Sequence, residues 1–182
     1  MNLSVRPATK EDIPTLAEIH LTSKLEAESG IIDQIFLDTK TPAEYEEKWA
    51  RWLNLEYSRT LIAHDDTGTA CALVSYGKLQ TPPPGSSPIR PAYTSEIFAL
   101  YVLPAYQRQG IGRFLLSRAS AELTKNGHRS LCLWALQKNK DTCAFYTALN
   151  GQRLGKRQVE MGPSDVREVC FGWRDLTPLM TD

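Results

Sequence analysis

The sequence has no excess of charge: 21 Lys plus Arg are matched by 21 Asp plus Glu. A general nucleic-acid binder needs a basic surplus to displace counterions from phosphates, so that class is excluded. There is no run of the ~18 apolar residues that a membrane span requires. The first twelve residues, MNLSVRPATKED, hold no apolar core of a signal peptide or anchor. Cysteine is sparse: Cys71, Cys132, Cys143 and Cys170 lie far apart and form no C-x-x-C pair. Together these absences predict a cytoplasmic protein with reduced, mostly buried thiols. His20, His64 and His128 show no metal-ligand spacing, so no metal is implied. Internal repeats and low-complexity tails are also missing. The 182 residues fit one domain, 1–182, long enough to bury a core.

What is present is a clear alternation of elements. Residues 3–7 read as a strand, and a helix follows with Thr9 as cap and Ile13, Leu16 and Ile19 at helical spacing. In TPAEYEEKWARWLN, Thr41 caps a second helix, Pro42 takes its first position and Glu44 closes a capping box. Tyr45, Trp49, Trp52 and Leu53 share one face of that helix. RTLIAHDDTGTACALVSYGKL is a hairpin around DDTG. TPPPGSSPIRP, with five of the 11 prolines, is a stiff exposed connection. A strand over 95–103, a helix over 111–125, a strand in SLCLWAL, a helix in DTCAFYTAL and strands in QRLGKRQVEM and EVCFGWRDL complete the chain. This order predicts an α/β fold with a mixed sheet and helices on both faces.

The informative stretch is LYVLPAYQRQGIGRFLL, where a strand stops at Pro104 and a glycine loop opens a helix. It is not a Walker A loop, because Arg113 and Phe114 stand where lysine and a hydroxyl are needed. It is not a dinucleotide fingerprint, because Leu115 occupies the third glycine position. A strand, a polar approach, Gly-x-Gly and a helix remain. The free N–H groups of such a helix start suit a pyrophosphate, with Arg108 and Arg113 adding charge.

Gln107, Gly110 and Gly112 meet the pattern [Q/R]-x-x-G-x-[G/A], and Asn139, Phe145 and Tyr146 follow at the matching spacing in LWALQKNKDTCAFYTALNG. In both motifs the chain resembles the GNAT superfamily of acetyl-CoA-dependent N-acetyltransferases, and the resemblance extends over nearly its whole length. It departs from the usual pattern at Thr142, where alanine is common, and at Gly151-Gln152, where many members have Gly-Phe. The resemblance implies a central, mostly antiparallel sheet of six or seven strands. It implies acetyl-CoA as cosubstrate, with the pyrophosphate on Gln107, Arg108, Gln109, Gly110, Ile111, Gly112 and Arg113. The thioester arm would run along Leu100, Tyr101 and Val102, where a bulge splays the strand. Asn139 would contact that arm, and Tyr146 would protonate the departing sulfur.

Glu96, eleven residues before Gln107, stands where histone-type members carry their general base. A carboxylate there takes the proton of the attacking amine directly or through water. As plain structure, Glu96 is a strand-edge residue or an Arg partner, Tyr146 a core aromatic, and Asn139 a cap. Cys143 is the one thiol near the site, and no cysteine stands where a covalent acetyl carrier is expected. Residues 26–47 hold Glu26, Glu28, Asp33, Asp38, Glu44, Glu46 and Glu47 against Lys40. They form either a solvated helical face or an acidic rim that attracts a cationic amine acceptor, small molecule or peptide. Tyr93 and the proline-rich connection are placed at the same mouth. A non-catalytic acyl-CoA sensor and a transferase of another acyl group are the competing functions. The apolar VCFGW run permits a homodimer through the last strands.

Overall fold

The computed structural model describes residues 2–87 and 91–180. Seven strands form one sheet: β1 (Ser4–Pro7), β2 (Ser58–His64), β3 (Ala70–Lys78), β4 (Ser95–Val102), β5 (Leu131–Leu136), β6 (Gln152–Met161) and β7 (Ser164–Trp173). Their spatial order is β1-β2-β3-β4-β5-β7-β6, and every pair is antiparallel except β4–β5. The helices are α1 (Ile13–Glu28), α2 (Gln34–Asp38), α3 (Pro42–Trp52), α4 (Ile111–Lys125) and α5 (Lys140–Ala148). This is the expected α/β arrangement. α1 and α3 pack Leu16, Ile19, Tyr45 and Trp49 on Ile62, Leu73 and Ala99 of one face. α4 and α5 pack Leu115, Leu116, Ala119 and Tyr146 on Val74, Leu133 and Phe171 of the other.

The β2–β3 hairpin turns where DDTG requires it. Asp65 accepts from the backbone of Thr67 and Thr69, and Gly68 takes φ +84°. Gly127 ends α4 in the left-handed region, and Asn150 does so after α5.

Three local expectations need correction. Thr41 does cap α3, accepting from the Glu44 amide at 3.3 Å, but the Glu44 carboxylate turns to Lys48 (3.0 Å) and Lys40 (3.6 Å). The i,i+4 lysines outcompete the capping box. β7 begins four residues before the expected Glu168, because Gly162 (φ +60°) closes a tight β6–β7 turn and the strand pairs at once. The short α2 is missed, since a five-residue helix shows too few positions for a period; Asp33 caps it at the Phe36 amide. Part of the proline-rich connection, residues 88–90, lies outside the described residues.

Ahead of α1, Asp12 takes a bidentate ion pair from Arg6 (both contacts 2.7 Å) and the Thr9 amide at 2.7 Å. The Arg6 hydrogen bond, more than any other contact, holds the Asp12 carboxyl far below the usual range. Half-exposed Arg6 limits the gain, so Asp12→Asn costs about 1–2 kcal/mol at pH 7. A depressed carboxylate pKa stabilises the fold above the unfolded value of ~4 and is lost as pH falls below it. Urea titrations therefore show the gap between variant and wild type at pH 7 and its shrinkage towards pH 3.

Candidate active site

The site begins with a register defect. β3 and β4 pair as Ser75↔Ala99 and then Tyr76↔Ile97, which leaves Phe98 as an extra residue on β4. On the other side, β4 meets β5 only through Ser95↔Leu131, Glu96↔Cys132 and Ile97↔Leu133. From Phe98 to Val102, β4 has no ladder partner on that side among the described residues. The strands part there: Leu100 and Val102 turn their backbone groups to the gap, where Gln107 takes the Val102 carbonyl, while Tyr101 between them stays in the β3 ladder.

Beyond β4, a turn over Pro104–Tyr106 carries the chain to the glycine loop. Tyr106 anchors the turn, donating its hydroxyl to Asp65 at 2.8 Å. Gln109 folds back on the Ala105 carbonyl at 3.1 Å. Arg108 (φ +61°) and Gly110 (φ +83°) both adopt left-handed backbone, and α4 starts with neither a side-chain cap nor an acidic residue in its first turn. The N–H groups of Ile111, Gly112 and Arg113 head a fifteen-residue helix and therefore carry its positive end. A Cβ on Gly112 would stand in ordinary contact with Phe145 Cζ at 3.4 Å, which places the helix start beside α5. The loop suits a pyrophosphate because α4 begins without a side-chain cap and with its positive end turned to the loop.

Tyr146, on α5, is 7% exposed among Phe145, Phe171 and Trp173, with ring centroids at 5.1, 5.5 and 6.1 Å. Burial pushes its hydroxyl pKa up, and the hydroxyl has no hydrogen-bond partner among the described residues. Tyr101 is raised as well, first by desolvation, then by Glu28, Tyr45 and Tyr146.

Glu96 is buried at 6% exposure, two residues before the bulge. Its Oε2 accepts from the Gln80 and Thr81 amides at 2.9 and 2.7 Å, so the loop after β3 folds over it. Burial raises its pKa, while those amides and Arg157 pull the other way. Asn139 is an N-cap: its Oδ1 accepts from the Thr142 amide at 3.0 Å. Its Nδ2 also donates to the Ala27 carbonyl at 3.3 Å. Gln107 Nε2 donates to the Val102 carbonyl and to Glu26 Oε2, both at 3.2 Å.

The structure therefore gathers Leu100–Val102, the glycine loop, Gln107, Asn139 and Tyr146 around the opened strand pair, with Glu96 at its head. Sequence reasoning misses the last turn of α1, which Gln107 and Asn139 tie across this opening. Those contacts span 81 and 112 residues, so no local spacing shows them. Tyr93 is not at a mouth: it is 4% exposed and packs on Gly172 beside Cys132 and Cys170. All four cysteines are buried. No helix among the described residues is long and apolar enough to cross a membrane.

Residues 28–151 match the model of the acetyltransferase (GNAT) family. The chain belongs to that family. It is 30% identical over 179 residues to YuaI, an uncharacterised N-acetyltransferase of Bacillus subtilis (strain 168), covering 98% of this chain and 97% of the relative. Its fold is similar to that of PaiA N-acetyltransferase from Thermoplasma acidophilum in complex with coenzyme A (TM-score 0.68, 22% identity, 93% of this chain and 98% of that one). It is also similar to YncA from Salmonella typhimurium, solved with its cofactor acetyl-CoA (TM-score 0.68, 22% identity, 97% and 95%).

Proposed function

We propose that this protein is an acetyl-CoA-dependent N-acetyltransferase that acts by direct attack of a primary amine on the thioester in a ternary complex. One observation carries the reading: the uncapped start of α4 follows the end of β4 that has no ladder partner towards β5, and Phe145, next to Tyr146 on α5, packs with Val102 against Gly112 at that helix start. The α4 N–H groups with Arg108 and Arg113 hold the pyrophosphate. The N–H group of Val102, which points away from β3, donates to the carbonyl oxygen as charge develops on it. As the C–N bond forms and the C–S bond breaks, Tyr146 gives its proton to the sulfur. The amine's proton passes to Glu96, directly or through water.

A free alkyl amine, with pKa near ~10, is mostly charged at neutral pH, so proton removal is part of the work. Glu96 suits it, since burial lifts its affinity for a proton and Gln80 and Thr81 hold one carboxylate oxygen still. A base acts only when ionised. The wild-type rate therefore rises through an acid limb whose midpoint lies above the free-carboxylate value of ~4.3. Glu96→Gln keeps both amide acceptor bonds, removes this limb and lowers kcat/KM about 100-fold at pH 7, the loss narrowing as pH approaches the amine pKa. A pH–rate profile that is unchanged in Glu96→Gln removes Glu96 from the mechanism.

Release of free CoA thiol from acetyl-CoA, followed with a panel of amines, tests the whole reading. Turnover establishes the transferase. Tight acetyl-CoA binding without turnover across the panel favours the sensor, although a sensor has no use for an unpartnered buried phenol at the sulfur position. Turnover of succinyl-CoA in preference to acetyl-CoA assigns a different acyl group to the same slot.

A further inference from the structure

Two of the seven acids in residues 26–47 pair with lysines: Glu44 is shared by Lys40 and Lys48, and Glu28 pairs with Lys24. Glu28 differs from the rest in being buried, at 6% exposure. It closes α1, whose last turn is fastened over the opened strands by Gln107 on Glu26 and by Asn139 on the Ala27 carbonyl. Its charge reaches the hydroxyls of Tyr45 on α3 and of Tyr101, which lies in the part of β4 without a ladder partner towards β5.

Four buried polar atoms of α1 and α3 have no hydrogen-bond partner among the described residues: His20 Nδ1, Ser23 Oγ, the Tyr45 hydroxyl and Trp49 Nε1. Their residues are 4%, 3%, 1% and 0% exposed. Such atoms carry a desolvation cost that a polar ligand or ordered water relieves. Lys24 is what occupies Glu28 now. It is a primary ammonium on a flexible aliphatic stem, with its side chain 22% exposed. Chemically, it is the same kind of group as an alkylamine acceptor.

We infer that Glu28 is the carboxylate that binds the acceptor's ammonium at the opening, and that Lys24 is an internal stand-in which the acceptor displaces. This rests on the acetyltransferase reading and deepens it. The acceptor class is a primary alkylamine that arrives protonated. Only a cation can exchange with Lys24 without leaving a buried, unpaired carboxylate, and burying one is costly. The exchange conserves charge: one ammonium moves to solvent as another takes its place. The stand-in also limits affinity, because each acceptor has to compete with a tethered lysine.

The test uses the full chain, acetyl-CoA and 1,4-diaminobutane or a lysine-containing peptide as probes. Glu28→Gln raises KM for the amine about 30-fold, the size of a charge-assisted hydrogen bond, with kcat and KM for acetyl-CoA nearly unchanged. Glu28→Asp keeps the charge and recovers part of the loss. Lys24→Met acts in the opposite direction: it lowers the amine KM about 5-fold or more by removing the competitor. A misfolded variant does not tighten binding, so that gain separates the inference from simple damage to α1. An unchanged amine KM in Glu28→Gln, or one that fails to fall in Lys24→Met, overturns it. So does a wild type that binds acetyl-CoA yet consumes no cationic amine. If acetyl-CoA does not raise the melting temperature of the wild type, the underlying acetyltransferase reading fails instead.

Discussion

Replacing Tyr146 with phenylalanine lowers kcat about 100-fold, the low end of what general acid catalysis supplies, and leaves acetyl-CoA affinity unchanged. The two outcomes separate because the ring and the hydroxyl do different jobs. The ring fills a niche among Phe145, Phe171 and Trp173, and phenylalanine fills it equally well. The hydroxyl makes no hydrogen bond to the described residues, so its removal leaves no polar group newly stranded. Stability therefore changes by less than about 1 kcal/mol, and a melting curve checks this beside the rate. Burial holds the phenol protonated well into the alkaline range, so the wild-type profile carries no descending limb from Tyr146 near neutral pH. Stopped-flow detection of CoA thiol, with cofactor binding followed by calorimetry, reads both quantities. Equal turnover in the two proteins means that the sulfur takes its proton from water, and Tyr146 is then a core aromatic.

The parts of this protein that were legible in the sequence are those fixed by nearby residues. The helix over 111–125 shows its start in Gly110 and its end in Asn126-Gly127, and both hold within a residue. The helix of Cys143 and Tyr146 is bounded by Asn139 and Asn150 for the same reason, a cap at one end and left-handed backbone at the other. The glycine loop was readable because its pattern encodes a backbone requirement. Long-range features were not. Phe98 as a bulge looks like any other apolar residue in EIFALYV; only the partner strands reveal that it has no opposite number. Gln107 and Asn139 could be assigned to a motif, yet their grip on Glu26 and Ala27 depends on where α1 ends in space. Acidic composition in residues 26–47 was visible, but composition does not show that Glu28 is buried and the others more open. Tyr93 was misplaced because a tyrosine beside a proline-rich loop looks exposed, whereas Gly172 provides the flat backbone against which it packs.

Gly110→Asp abolishes measurable acetyl-CoA binding, a loss of at least about 100-fold, while the protein melts within a few degrees of the wild type. Gly110 sits at φ +83°, a conformation that costs most residues ~1–2 kcal/mol but that Asp and Asn tolerate best. A Cβ there meets nothing within 4 Å, so the backbone has room for the new side chain. A carboxylate at the start of α4 is also favourable for the helix itself, since it lies at the positive end. What it opposes is a second anion. A unit charge about 5 Å from each charge of a pyrophosphate is repelled by roughly 3 kcal/mol at an effective dielectric constant of 20, equivalent to about 100-fold per charge. Gly110→Asn has the same shape and no charge, and it binds acetyl-CoA within about 10-fold of the wild type. Thermal-shift titration with acetyl-CoA at two salt concentrations measures the pair, and the Asp defect narrows at high salt as the repulsion is screened. If Gly110→Asp and Gly110→Asn bind alike, the α4 start is not the anion site.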